Sequence, residues 1–254
     1  METIVLAAPG KGTRLIDLRL ARLAAGDAWA ERNPGERLAV ALDGTVEASV
    51  DGRAFGPVGG REDVFDGLGE AVYVPPGAEL VLAASAPATV AIASAPVDGR
   101  TPGAARVIRA ADQHVATAGA GNWQRTIRTI LGPGADAERL IVGETVNPPG
   151  NWSSYPPHKH DRQAPPEEVA LEEVYFYRLR PAGGFAVQLL YDGDEERAVI
   201  VRNGDAVTIP SGYHPVVAAA GYELYYLWVL AGEGRDLVPF YDPEHAWVQG
   251  LAGR

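Results

Sequence analysis

Two stretches of this chain are versions of one another. Ala71 to Gly77 reads AVYVPPG and Ala206 to Gly212 reads AVTIPSG, each an alternating run that ends in a Pro-x-Gly turn. Such alternation marks a strand with distinct faces, and Pro followed closely by Gly is turn chemistry. Upstream of each copy comes the same succession of strand, Gly-containing turn, strand and Asp-Gly turn: VALDGTVEASVDG from Val40 and YRLRPAGGFAVQLLYDG from Tyr177. That succession reads as a β-hairpin. Downstream, TVAIASAP from Thr89 parallels ELYYLWVLAG from Glu223. Chance likeness between β-rich segments is the competing reading, but the elements agree in order as well as in type. The chain therefore reads as two copies of one all-β unit, joined by a segment near residues 100–125 that Arg100-Thr-Pro-Gly opens. Its 254 residues leave room for two such units, and the division expected is 1–110 and 111–254. With 30 Gly and 20 Pro the chain turns often, which favours many short strands over long helices.

Composition removes several functions. Acidic residues outnumber basic ones by 33 to 22, and the resulting charge of −11 repels a phosphate backbone, so nucleic acid is not expected as a partner. No segment has the length or charge of a helix-turn-helix module. The chain has no cysteine, which excludes disulfides, thiolate metal sites, iron–sulfur clusters and a cysteine nucleophile. A metal site here must use His, Asp or Glu. The start, METIVLAAPGKGTRL, has no basic region ahead of a short apolar stretch, and a membrane span needs about 20 apolar residues. A cytoplasmic protein with no membrane partner is the expectation.

The two copies differ after the Pro-x-Gly turn. The second continues Tyr213-His214 and the first Ala78-Glu79, and the first has no counterpart of NWSSYPPHKHD from Asn151. The first half is thus expected to be scaffold. In an extended strand residues i and i+2 share a face, so His158 and His160 project together. Two imidazoles so placed suit one divalent cation at roughly 2.0–2.2 Å. Glu173, which shares a strand face with Tyr175 and Tyr177, is the third candidate ligand, and His214 the fourth. The plain alternatives are a solvated HxH loop, a surface glutamate and a core histidine.

The order HxH, Glu, hairpin, Pro-x-Gly and His resembles the two motifs of the cupin superfamily. Within it, NWSSYPPHKHD, EEVYFYR, NGDAVTIPSGYHPVVAAAGYELYYLWVLAG and DPEHAW resemble the 5-deoxy-glucuronate isomerase family of myo-inositol catabolism, and EVYFY also resembles the related 4-deoxy-uronate ketol isomerases. VFDG and AVYVPPG carry the likeness into the first half, so it covers nearly the whole chain. The resemblance implies a bicupin of two jelly-roll barrels, with one divalent metal ion (zinc, manganese, iron or nickel) in the second. In the general cupin pattern only a few residues follow HxH before the Glu. Here eleven separate His160 from Glu172 and twelve separate it from Glu173, and the insert RQAPPEEVAL reads as a loop. Glu172 therefore competes with Glu173 as ligand; the related isomerases favour the residue directly before VYFY, which is Glu173.

The activity so implied is an aldose–ketose conversion of a sugar acid, 5-deoxy-D-glucuronate to 5-dehydro-2-deoxy-D-gluconate. It needs a metal to chelate the carbonyl and hydroxyl oxygens and a group to move the proton. Tyr177, Glu172, Tyr175 and Lys159 are the candidates for the proton, with ordinary aromatic packing the alternative for both tyrosines. The substrate carboxylate calls for a cation, with Lys159, Arg162 and Arg235 as candidates. Gln188, alone and polar in FAVQLLY, either bonds a sugar hydroxyl or faces water, and His245 docks the tail. Two rival functions share the pattern: a metal-dependent dioxygenase and a non-enzymatic sugar-binding bicupin. Edge strands of such barrels often pair, which leaves a homo-oligomer open.

Overall fold

The computed structural model describes residues 1–99 and 103–251, so Arg100, Thr101 and Pro102, which open the expected joining segment, lie outside the described residues. The protein is almost entirely β, with three 3-10 turns as its only helical elements among the described residues. None is long and apolar enough to cross a membrane.

Four sheets stack in layers. The first large sheet runs Arg106–Ile108, Ala71–Val74, Glu36–Asp43, Ala88–Ala95, Asp17–Leu23, Glu2–Pro9 and Gly12–Thr13 from edge to edge. The second runs Ala206–Ile209, Leu171–Arg180, Glu223–Gly232, Leu140–Asn147, Arg125–Leu131 and His114–Ala118. Matched from the Pro-x-Gly strands inward, the two orders correspond: Ala71–Val74 with Ala206–Ile209, Glu36–Asp43 with Leu171–Arg180, Ala88–Ala95 with Glu223–Gly232. Each large sheet also covers a four-stranded one. In the first half this is Ala28–Arg32, Glu79–Ala83, Thr45–Val50 and Arg53–Gly59; in the second, Trp152–Ser153, Val216–Ala218, Ala186–Asp192 and Glu195–Val201.

Alternation along the central strands builds three cores. Val174, Phe176, Tyr225, Leu227 and Val229 point from the second large sheet toward Leu38, Val40, Leu42, Ala91 and Ala93 of the first. These strands are covered on both faces, which is why they read as continuous apolar runs. Behind the first sheet, Ala39, Val72, Val74, Val90 and Ile92 meet Val46, Ala48, Leu80 and Leu82. Behind the second, Tyr175, Tyr177, Tyr226 and Trp228 meet Ala186, Val201 and Val216. Aliphatic side chains close the first of these outer cores, while bulky aromatics prop the second open around a cavity.

Buried carboxylates tie the halves together, and they do so reciprocally. Glu172 accepts from the backbone N–H groups of Arg14 (2.8 Å), Leu15 (2.7 Å) and Ile16 (2.7 Å). Glu36 accepts from those of Glu138 (2.8 Å), Arg139 (2.7 Å) and Leu140 (2.7 Å). The two glutamates hold equivalent positions, because Arg37 pairs with Val74 as Glu173 pairs with Ile209. Gly12 lets the first of these loops approach: a Cβ there would lie 2.6 Å from Thr208 Oγ1, at a φ of 89°. A third tie is Glu144, fully buried, which takes Arg61 Nη1 at 3.0 Å and the Tyr225 hydroxyl at 2.9 Å.

Because each clamp leaves three backbone donors unpaired when removed, all buried at Glu36 and partly buried at Glu172, Glu36→Ala and Glu172→Ala should each destabilise by about 3 kcal/mol. Urea unfolding of both variants checks this; a loss near zero in either would refute the reciprocity.

Candidate metal centre

The second outer core holds a cluster of three imidazoles. His158 belongs to a two-residue strand paired with Phe240–Tyr241, and His160 follows it. His214 comes just after the Gly212 turn. One ligand atom from each of the three lies within 4.8 Å of the others. Glu173 reaches the same place from strand Leu171–Arg180: its Oε2 is 3.2 Å from His160 Nε2 and 3.2 Å from His214 Nε2. His160, Glu173 and His214 are buried and His158 half-buried.

Backbone carbonyls orient two of the rings. His160 Nδ1 donates to the Leu171 carbonyl at 2.8 Å and His214 Nδ1 to that of Gly212 at 2.9 Å. A neutral imidazole that donates from Nδ1 presents a lone pair at Nε2. With both rings neutral, two such lone pairs face one carboxylate oxygen, an arrangement that is repulsive unless a proton or a cation lies between them. His214 Nε2 is buried without a hydrogen-bond partner among the described residues. Three imidazoles, one carboxylate and an orphaned nitrogen fit a divalent cation.

Burial favours a protonated Glu173, but the approach of His160 and His214 and their charge when protonated outweigh it and bring the carboxyl down to about 2. Burial likewise opposes charge on His160, and Glu173 overcomes it, so that imidazole titrates above its ordinary value. His158 is pushed well below its own, by burial and then by the charges of His214 and His160.

The long insert does not disturb this geometry. Glu168 Oε1 accepts from the N–H groups of Asp161 (2.8 Å) and Arg162 (2.9 Å), and Leu171 N–H donates to the His160 carbonyl at 2.7 Å. The excursion therefore closes on itself and returns the chain to His160.

The cluster opens into a cavity of about 190 Å³, lined also by Arg125, Ile127, Thr145, Ser153, Ser154, Tyr175, Tyr226, Trp228 and the loop residues Leu237, Pro239 and Tyr241. Drug-sized ligands occupy roughly 300–1,000 Å³, so this space suits a small molecule. Ser154 Oγ and Tyr175 Oη lie 2.8 Å apart, and Ser153 Oγ and Tyr226 Oη 2.5 Å apart. Ser154 holds its hydroxyl there from a left-handed backbone, φ 49°, that non-glycine residues rarely adopt. Trp228 fits its place in the wall because residue 143 is Gly; a Cβ there would collide with the indole.

Of the side chains weighed for proton transfer, only Tyr175 lines the cavity. Glu172 points to the opposite strand face, where the three backbone donors occupy its carboxylate. Tyr177 donates to Gln188 Oε1 at 2.7 Å behind the cavity. Lys159, between the two histidines, points outward to Asp161 at 3.1 Å. The cations weighed for the substrate are spent as well: Arg162 lies 3.5 Å from Glu168, and Arg235 donates to the Leu140 and Pro133 carbonyls. Gln188 faces neither sugar nor water; it is buried and donates to the His214 carbonyl at 2.7 Å, bracing that loop. His245 lies in the tail, donating its N–H to the Asp242 carbonyl. Sequence reasoning missed Arg125, Ser153, Ser154 and Tyr226. Only the Ser-Ser pair within NWSSYPPHKHD offered a signal.

The first half lacks this chemistry for a visible reason. Arg37 stands at the position equivalent to Glu173, fully buried, and donates to the carbonyls of Glu31 (2.7 Å) and Ala78. Its guanidinium fills the space where the second half gathers imidazoles.

The KduI/IolB family matches residues 2–248. A relative named 5-deoxy-glucuronate isomerase, from Geobacillus kaustophilus, is 41% identical over 221 residues, covering 86% of this chain and 79% of its own. A crystal structure of an IolB-like protein from Salmonella typhimurium superposes with a TM-score of 0.92 at 31% identity, covering 96% of this chain and 94% of that one. Lactobacillus farciminis oxalate decarboxylase, at 10% identity and a TM-score of 0.64, covers 91% of this chain and 80% of its own, and shares the cupin fold alone.

Loss of an outer carbonyl partner alone weakens metal sites 10- to 100-fold, so His160→Ala and Glu173→Gln should each weaken divalent-metal binding by more than about 100-fold. Elemental analysis after dialysis reads this, and His245→Ala should keep the wild-type metal content.

Proposed function

This chain belongs to the KduI/IolB family, and on that premise we propose that it is a metal-dependent isomerase converting 5-deoxy-D-glucuronate to 5-dehydro-2-deoxy-D-gluconate. The observation that supports the metal dependence is the convergence of three imidazoles on Glu173, whose Oε2 lies 3.2 Å from His160 Nε2 and from His214 Nε2, the latter without a hydrogen-bond partner among the described residues. The name of the Geobacillus relative supports the substrate. We read each half as one cupin barrel, residues 1–110 as scaffold and 111–254 as the half that holds the ion.

His158, His160, His214 and Glu173 would hold a single zinc, manganese, iron or nickel ion. The chemistry such an ion supplies when bound is Lewis-acid polarisation of an α-hydroxy carbonyl. The chain's own groups do the rest. Burial first, then the charge of Glu173, pushes ionisation of Tyr175 well above the ordinary phenol value, so Tyr175 keeps its proton and acts as a donor. Aldose–ketose conversion moves a hydrogen between adjacent carbons, here as a 1,2-shift within the substrate that needs no protein base, and a proton between their oxygens. Tyr175 Oη gives its proton to the oxygen that gains one and recovers it from the neighbouring hydroxyl, with Ser154 Oγ at 2.8 Å as hydrogen-bond partner. Ser153 and Tyr226 bind sugar hydroxyls on the same wall. Ile127, Trp228 and Leu230 exclude water, which strengthens each of these bonds.

Turnover of 5-deoxy-glucuronate by purified protein, with and without chelator, is the test. Activity should vanish with chelation and return with divalent metal. Metal-loaded protein without turnover would overturn the isomerase reading, and turnover that chelation leaves intact would overturn the role of the metal. Tyr175→Phe should lower kcat by about 10²- to 10⁴-fold at unchanged metal content, whereas Tyr177→Phe, which loses a bond to Gln188 behind the cavity, should lower it far less.

A further inference from the structure

We propose that Arg125 recognises the carboxylate of the substrate, so that this site selects a sugar acid over the corresponding neutral sugar. The inference rests on the isomerase reading for the identity of the acid, but its physical ground is separate.

Arg125 opens strand Arg125–Leu131 and lines the cavity beside the imidazole cluster. It is the one lysine or arginine among the described residues of that lining. Several other buried or half-buried arginines are matched by carboxylates. Arg61 lies against Glu144, Arg139 reaches Asp98 at 2.9 Å, and Arg19 reaches Asp17 at 2.7 Å. No carboxylate among the described residues lies within ion-pair distance of Arg125.

The guanidinium is nevertheless held in place. Its Nη1 donates to the carbonyls of Tyr155 (3.0 Å) and Trp123 (3.3 Å). Its Nε is buried and has no hydrogen-bond partner among the described residues, and none of them accepts from Nη2. One edge of the fork is therefore fixed by the backbone, while the Nε–Nη2 edge is left unsatisfied. Two parallel N–H donors on a planar edge match the two oxygens of a carboxylate. Arg125 is half-buried, so its charge is only partly solvated, and a ligand that supplies the counter-ion offsets that cost.

Charge on a larger scale points the same way. The protein carries −11 overall, a field that disfavours an approaching anion. The only acid in the cavity lining is Glu173, which faces the histidines. An acidic substrate thus needs a local cation, and Arg125 is the cation available.

The test compares wild type with Arg125→Gln and Arg125→Lys, each checked for thermal unfolding and metal content. Calorimetry measures binding of D-glucuronate and of D-glucose to the metal-loaded proteins, beside turnover of 5-deoxy-glucuronate. Arg125→Gln should weaken binding of the acid by about 100-fold and raise KM similarly, with little change for the neutral sugar. Arg125→Lys should keep part of the acid's affinity, since it retains the charge without the fork; it carries the comparison if the glutamine variant does not fold. Equal losses on both sugars would reveal a merely structural residue and overturn the assignment, as would an unchanged KM for the acid. Arg125-dependent binding of glucuronate in a protein that does not turn over 5-deoxy-glucuronate would uphold Arg125 and reject the isomerase reading. Normal turnover in Arg125→Gln would do the reverse.

Discussion

Two buried carboxylates, Glu172 and Glu36, hold the architecture together. Each sits at the start of a central strand in one half and gathers three consecutive backbone N–H groups from a loop of the other. The clamp also positions the chemistry. Successive residues on a strand face opposite ways, so fixing Glu172 toward the partner half obliges Glu173 to project into the outer core. The reaction side and the assembly side of this protein are thus separated by one peptide bond.

The two halves share corresponding strand orders, and single positions decide what each does with them. Where the second half has Glu173, the first has Arg37, and the outer core behind Arg37 is closed by Ala39, Ala48, Val72, Val90 and their neighbours. Arg37, with both Nη groups donating to carbonyls and Glu31 3.9 Å away, is closed in by that packing, whereas Glu173 faces a cavity. The same backbone register therefore yields a packed wall in one half and a charged, aromatic-lined chamber in the other.

Much of this was legible in the sequence, for physical reasons that can be named. Strand periodicity placed His158 with His160, and Glu173 with Tyr175 and Tyr177 apart from Val174 and Phe176. Turn chemistry located His214, and the repeat announced the two corresponding sheets. What stayed hidden depends on partners remote in the chain. Tyr175 and Tyr177 share a face, and only the position of Ser154 and Gln188 tells which one meets the cavity. Glu172 looks as reactive as Glu173 until the loop Arg14–Ile16 is seen to consume it. Arg125 sits in an unremarked strand, and its significance is an absence of counter-charge, which no local pattern can display. Lys159, Arg162 and Arg235 were each plausible cations by type and were each engaged elsewhere by geometry.

The excursion between His160 and Leu171 has an implication for recognising distant kin. Because its two ends are bonded to each other, its length is nearly decoupled from the position of the residues on either side. Lengthening a closed loop costs entropy only logarithmically, about 0.6 kcal/mol per doubling. Evolution can thus add or delete residues there almost freely while His160 and Glu173 stay where they are. A search pattern that counts residues from the histidines to the acid measures a quantity under little restraint. One that asks which acid directly precedes the aromatic strand measures what the sheet enforces.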